Sequence, residues 1–82
     1  MNTTTKPQTM NTHSATSTAT GTTYTFNAKR DWTGSFAVIL TDPRGEGIYS
    51  RHGKREAAVK AAATLRKVAH FSDVHVVAIE AA

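Results

Sequence analysis

Cysteine is absent from this chain of 82 residues, and with it go disulfides, thiolate zinc sites and cysteine nucleophiles. No apolar run approaches the roughly 20 residues that cross a bilayer, and the N-terminus has no apolar core of a secretory signal. Its first 22 residues contain Lys6 and no arginine, which argues against a mitochondrial transit peptide, so the cytoplasm is the expected compartment. Acidic residues are few: six Asp and Glu stand against ten Lys and Arg, a formal net charge of +4. Such an excess suits a polyanionic partner such as nucleic acid, and it also serves plain solubility. A chain this short buries only about 60% of the surface its unfolded form exposes, so one domain without a large internal cavity is expected.

Thr, Ser and Asn dominate residues 1–22, which hold little to bury beyond Met1 and Met10. Such a segment does not offset the entropy of ordering, and a disordered tail is expected there. From residue 23 to residue 82 the patterns describe a single small α+β domain. Tyr24, Phe26 and Ala28 alternate with Thr23, Thr25 and Asn27, a first strand. A turn over residues 29–34 follows, with Gly34 available for positive φ. Residues 35–41, Ser-Phe-Ala-Val-Ile-Leu-Thr, are apolar on both faces and read as a central strand. Asp42-Pro43-Arg44-Gly45 matches a type I turn into a third strand, residues 47–52. Pairing Leu40 with Ile48 would put Phe36, Val38, Leu40 and Ile48 on the buried face. Ala58, Ala61, Ala62, Leu65, Val68 and Ala69 recur at helical spacing, predicting a helix over residues 54–70, and residues 74–79 form a fourth strand. A right-handed crossover makes the fourth strand parallel to the first and third, and placing it beside the first gives order 3-2-1-4. The expected architecture is β-β-β-α-β, two layers, one helix on a mixed four-stranded sheet.

That meander brings Lys29, Arg30 and Trp32 of the first turn to the same edge as Arg51, His52, Lys54 and Arg55 at the start of the helix. A helix N-terminus presents unpaired N–H groups and partial positive charge, and acidic residues normally stabilise it. Crowded with cations, it fits an anion such as a phosphate, with Trp32 either covering the core or stacking on a base. These seven residues are the candidate nucleic-acid contacts. The sheet face away from the helix, with Ile39, Tyr49, His75, Val77 and Ile79, is unusually apolar for a surface facing water. It is the alternative site, for a protein partner or a homodimer, as in a small phage or plasmid regulator or inhibitor.

Catalysis and cofactors are not expected. His13, His52, His70 and His75 share no metal-ligand spacing. Ser50 and His52 fall on one strand face without an acid to orient the histidine, and Gly45-Glu46-Gly47 is a turn with no helix after it. The reading is a non-enzymatic binding domain for nucleic-acid backbone, DNA or RNA.

The stretch Phe36-x-Val38, then Gly45-Glu46-Gly47, then Lys54-Arg55-Glu56-Ala57 and an Ala-rich helix resembles the second half of double-stranded RNA-binding domains. The resemblance implies phosphate contacts by Lys54 and Arg55, and it puts the residue 29–34 turn in the place of the loop that enters a minor groove. This chain departs from the pattern by lacking the family's first helix and its Gly-Pro-x-His loop, by having Ala58 where the motif has its third lysine, and by a fourth strand. It also resembles the arm-binding domains of some tyrosine recombinases, and its ending is similar to small uncharacterised bacterial β-β-α-β proteins.

Overall fold

The segment that is apolar on both faces becomes β3 (Phe36–Asp42) in a computed structural model, which describes residues 11–82. Ala37, Val38 and Ile39 are completely buried and Leu40 nearly so, so the strand has cover on both sides. Asp42 Oδ1 accepts the amides of Arg44 (2.8 Å) and Gly45 (3.2 Å), and Gly45 takes φ +129° without the penalty a Cβ would bring. β4 (Gly45–His52) returns antiparallel, as the turn predicts.

Its register differs from the expected one. Val38 faces Ser50 but Ile39 faces Ile48, so Tyr49 is an extra residue in β4 and Leu40 meets Gly47. One added residue turns the rest of a strand over. Ile48 therefore packs with Ile39, not with Val38 and Leu40.

α1 (Arg55–Leu65) covers one face of β3: Ala58 and Ala62, one turn apart, are completely buried against Val38, Leu40 and Val74. It is shorter than predicted. Lys67 and Val68 donate to the carbonyls of Thr64 (3.2 Å) and Leu65 (3.0 Å), tightening the last turn, and the Arg66 guanidinium donates through Nε and Nη2 to the Val74 carbonyl at 3.2 and 3.1 Å. The side chain that would continue the helix instead ties its end to the next strand.

That strand, β5 (Ser72–Ala78), pairs antiparallel with β3, with Phe36 opposite Ala78 and Ala37 opposite Val77. The sheet order is β4-β3-β5, and the expected placement beside the first strand is corrected. β3 is buried on both faces, and the valine-rich β5 completes the layer on its free edge. The predicted first strand lies elsewhere.

That strand is β2 (Thr23–Ala28), and it pairs with β1 (Asn11–Thr16) across a turn in which Gly21 has φ +78°. β1 pairs in turn with the short β6 (Glu80–Ala81), giving a second sheet of order β2-β1-β6. This sheet lies on the other face of the first: Ala15 joins Ala37, Ile39, Val77 and Ile79, flanked by Tyr24, Phe26, Trp32 and Ile48. Over the described residues the fold is α+β with six strands in two sheets, stacked as helix, sheet and sheet, in place of the expected two layers and single four-stranded sheet. Part of the expected tail is thus structural, because His13, Ala15 and Ser17 are buried along it. Residues 1–10 of that tail lie outside the described residues.

Polar contacts fasten the hairpin turn to β4. Glu46 accepts hydrogen bonds from Ser17 Oγ (2.6 Å), Thr20 Oγ1 (2.7 Å) and Tyr24 Oη (2.5 Å), while Ser17 Oγ accepts the amides of Ala19 and Thr20. The donated bonds from Ser17, Tyr24 and Thr20 hold the Glu46 carboxyl below the usual value, and the bond to Glu46 holds the Tyr24 hydroxyl above its own.

A depressed folded-state value means that the stability supplied by Glu46 is present above its ordinary 4.5 and is lost as pH falls through the lower folded value. Replacing Glu46 by Gln is expected to lower the melting temperature at neutral pH and to flatten the acid limb of stability, measured by circular dichroism melts across pH. An acid limb as steep in the variant as in the parent would refute the role. Ile39→Ala, emptying a completely buried site between the sheets, is expected to cost about 2–5 kcal/mol in urea unfolding.

Candidate nucleic-acid interface

The loop between β2 and β3 is built to hold its shape. Asn11 Nδ2 donates to the Lys29 carbonyl (3.2 Å), Asp31 Oδ1 accepts the Thr33 amide (2.9 Å), and Ser35 donates to the Trp32 carbonyl (2.8 Å). Gly34 takes φ +84°, as the turn predicts, and its amide donates to the Ile79 carbonyl at 3.0 Å. The Thr33 amide and hydroxyl lower the Asp31 carboxyl below its usual value, with a smaller contribution from His13.

His13 anchors this loop from beneath. Its ring is completely buried and stacked on Phe26, with centroids 5.1 Å apart. Nε2 accepts the Trp32 amide at 2.8 Å, so in the neutral ring the proton sits on Nδ1, which has no partner among the described residues. Asp31 Oδ1 lies 3.3 Å from the same Nε2.

On this platform the arginines gather. The Arg30 guanidinium lies 4.0 Å from the Trp32 ring centroid, and the Arg51 guanidinium lies 5.0 Å from Trp32 and 4.8 Å from Phe26. A Cβ at Gly53 would stand 3.0 Å from Arg30 Nη2, so the glycine leaves room for that arginine at the junction of β4 and α1. The two loops meet as the sequence suggests. Lys29, Arg30, Arg51, Lys54 and Arg55 are all exposed, and among the described residues no Lys or Arg has a carboxylate partner.

The seven expected contacts are not equivalent. Arg30 and Arg51 both meet Trp32. Trp32 is half-buried against the core with two guanidiniums over its ring, so it carries the arginines. His52 is paired with Phe36 and bonded to Ser50 at 2.9 Å, which puts it on the helix side of the sheet, opposite Arg51. Lys54 is the N-cap residue of α1, in extended conformation, and no side chain caps the first turn. Lys29, Lys54 and Arg55 flank the arginine pair by chain adjacency. The roles of His13 and Phe26 escape the sequence reading. The alternation of His13, Ala15 and Ser17 with Thr12, Ser14, Thr16 and Thr18 is the signal for β1, and the polar composition around it masks that signal.

The alternative site is corrected for the most part, because the chain covers much of that face itself. Ile39, Val77 and Ile79 are buried under the β1–β2 hairpin. His75 Nε2 accepts the Thr18 amide (3.3 Å) while Nδ1 donates to the Asp73 carbonyl, so this ring too joins the hairpin to the first sheet. Tyr49 alone is exposed, at 56%, set edge-on to Phe71.

Among the described residues no group of three His, Asp or Glu is placed to hold a metal ion, and no helix is long and apolar enough to cross a membrane. The chain matches no known family model, and comparison with curated proteins and with solved structures finds none similar to it.

His13→Phe keeps the stacked ring but removes the acceptor of the Trp32 amide. The expected cost is about 1–3 kcal/mol, the penalty of a buried unpaired donor. It should appear in urea unfolding together with displaced Trp32 amide and indole signals in a nitrogen–proton spectrum; an unmoved Trp32 would separate His13 from the loop.

Proposed function

We propose that the chain binds the phosphate backbone of nucleic acid through Arg30 and Arg51, without catalysing a reaction. The carrying observation is that two exposed guanidiniums are held over one indole and neither is paired with a carboxylate. A surface arginine ordinarily gives up rotamer freedom when it binds. Stacked on Trp32, these two have already given up part of it, and their planar donor forks remain open for bidentate contact with phosphate oxygens.

The surroundings support the same ligand. Lys29 lies next in sequence to Arg30, and Lys54 and Arg55 stand at the start of α1, whose first-turn N–H groups lack a side-chain cap. Glu56 is the acidic residue of that turn, and the net charge of +4 favours approach of a polyanion. The resemblance of the Lys54-Arg55-Glu56-Ala57 stretch to double-stranded RNA-binding domains points to the same phosphate contacts. Contacts of this kind are electrostatic and indifferent to base sequence.

The test is binding of a short DNA duplex and a short RNA duplex over a range of salt. Log K is expected to fall linearly with log salt, and Arg30→Ala and Arg51→Ala are each expected to weaken binding and reduce the slope by about one. Arg30→Lys should fail to restore it, since an ammonium neither stacks nor forks as guanidinium does. Absence of binding to both duplexes at low salt, or binding indifferent to both arginines, would rule the reading out.

A further inference from the structure

We propose that β2 is a self-association edge, on which the β2 strand of a second copy adds to extend the sheet antiparallel across a twofold axis. The inference stands apart from the phosphate reading and begins with the direction of backbone groups. Ser17 donates to the Thr22 carbonyl at 2.9 Å, and the β1–β2 register runs on from that pair without interruption. Antiparallel pairs alternate between bonded and non-bonded, so Tyr24, Phe26 and Ala28 exchange bonds with β1. The far side of β1 agrees: Thr12 accepts the Ala82 amide, so the even-numbered residues of β1 point toward β6. Thr23, Thr25 and Asn27 therefore turn their N–H and C=O groups outward, and β2 has no neighbour on that side among the described residues.

The other edges are blunted where this one is not. β4 is broken by the Tyr49 bulge, β5 by an irregularity where Asp73 takes φ +51°, and β6 is two residues long. β2 is six residues, Thr-Tyr-Thr-Phe-Asn-Ala, with no charge, no proline, no glycine and no bulge. An unguarded edge of that length is a template for another strand.

The strand is also complementary to itself. An axis at Thr25 pairs Thr25 with Thr25 of the second copy and Thr23 with its Asn27, using every outward group of the strand in six backbone hydrogen bonds. In the same register Tyr24 stands opposite Phe26, on the inner face where both are now half-buried, and the outer face pairs threonines and asparagine. Lys29 and Arg30 fall beyond the ladder, opposite Gly21 and Thr20, so no cation meets a cation. A parallel arrangement would set Lys29 beside Lys29.

The test uses the full chain. Sedimentation equilibrium from micromolar to millimolar concentration should show a shift from the 8.8 kDa chain mass toward twice that mass. Hydrogen exchange should show the amides of Thr23, Thr25 and Asn27 protected in concentrated solution and released on dilution, with Tyr24, Phe26 and Ala28 protected throughout. Thr25→Pro removes an outward donor and is tolerated at an edge. It should weaken association about tenfold or more, two net hydrogen bonds lost across the axis, with its circular dichroism unchanged. A chain that stays at the monomer mass at millimolar concentration overturns the proposal. So does protection of the three outward amides that ignores dilution, which would mean that the chain covers its own edge, or a dimer that Thr25→Pro leaves intact.

Discussion

β3 is apolar on both faces, and that single property dictates the layering. A strand with Ala37 and Ile39 on one side and Val38 and Leu40 on the other must be covered twice. The Ala-rich helix satisfies one side, because Ala58 and Ala62 let its backbone approach closely. Among the described residues there is no second helix for the other side, which is covered by a hairpin and the two residues of β6 that follow Ile79. Ile79 is the corner: its amide donates to the Ser35 carbonyl of the first sheet just before the chain enters the second.

The covering hairpin has little apolar mass, since Ala15, Tyr24 and Phe26 supply most of what it offers to the core. Hydrogen bonds at its two ends make up the difference. At one end Glu46 gathers the hydroxyls of Ser17, Thr20 and Tyr24, and at the other buried His13 accepts the Trp32 amide. Each acceptor is the sort of buried or half-buried polar group that costs stability when its partner is lost, so the hairpin's position is specified more sharply than its apolar contacts alone would specify it.

Much of this was legible beforehand, and the failures share a cause. The first turn with its positive-φ glycine, the Asp42–Gly45 turn, the hairpin of β3 with β4, the helix and the meeting of residues 29–34 with residues 51–55 are all local consequences of pattern and turn chemistry. The β1 strand was hidden because threonine serves strands and solvated tails alike. Its identity as strand depends on partners that it meets only in three dimensions, Glu46 and the Ala37–Ile39 face. The misplacement of β5 follows directly: with β1 unseen, the predicted first strand is set beside β3, on the edge that β5 takes, and the fourth strand is left outside it. The apolar sheet face looked like an interface for the same reason. It is one, between two layers of a single chain. The extra residue at Tyr49, which moves Ile48 across the sheet, leaves no mark in hydrophobic periodicity that a regular pairing would not also explain.

Arg30 and Arg51 belong to different layers: Arg51 projects from β4 of the first sheet, and Arg30 stands in the loop that leaves β2 of the second. Trp32 meets both guanidiniums, and Phe26 meets that of Arg51, only while the hairpin lies on the sheet. Hairpin closure and the arginine pair are therefore one equilibrium. An anion that bridged both guanidiniums would bind the closed arrangement better than an open one, and by linkage it would stabilise closure to the extent of that difference. Closure in turn keeps Ile39 and Val77 from water, so the polar surface at this end of the molecule and the apolar core beneath it reinforce each other, with buried His13 stacked on Phe26 and accepting the Trp32 amide.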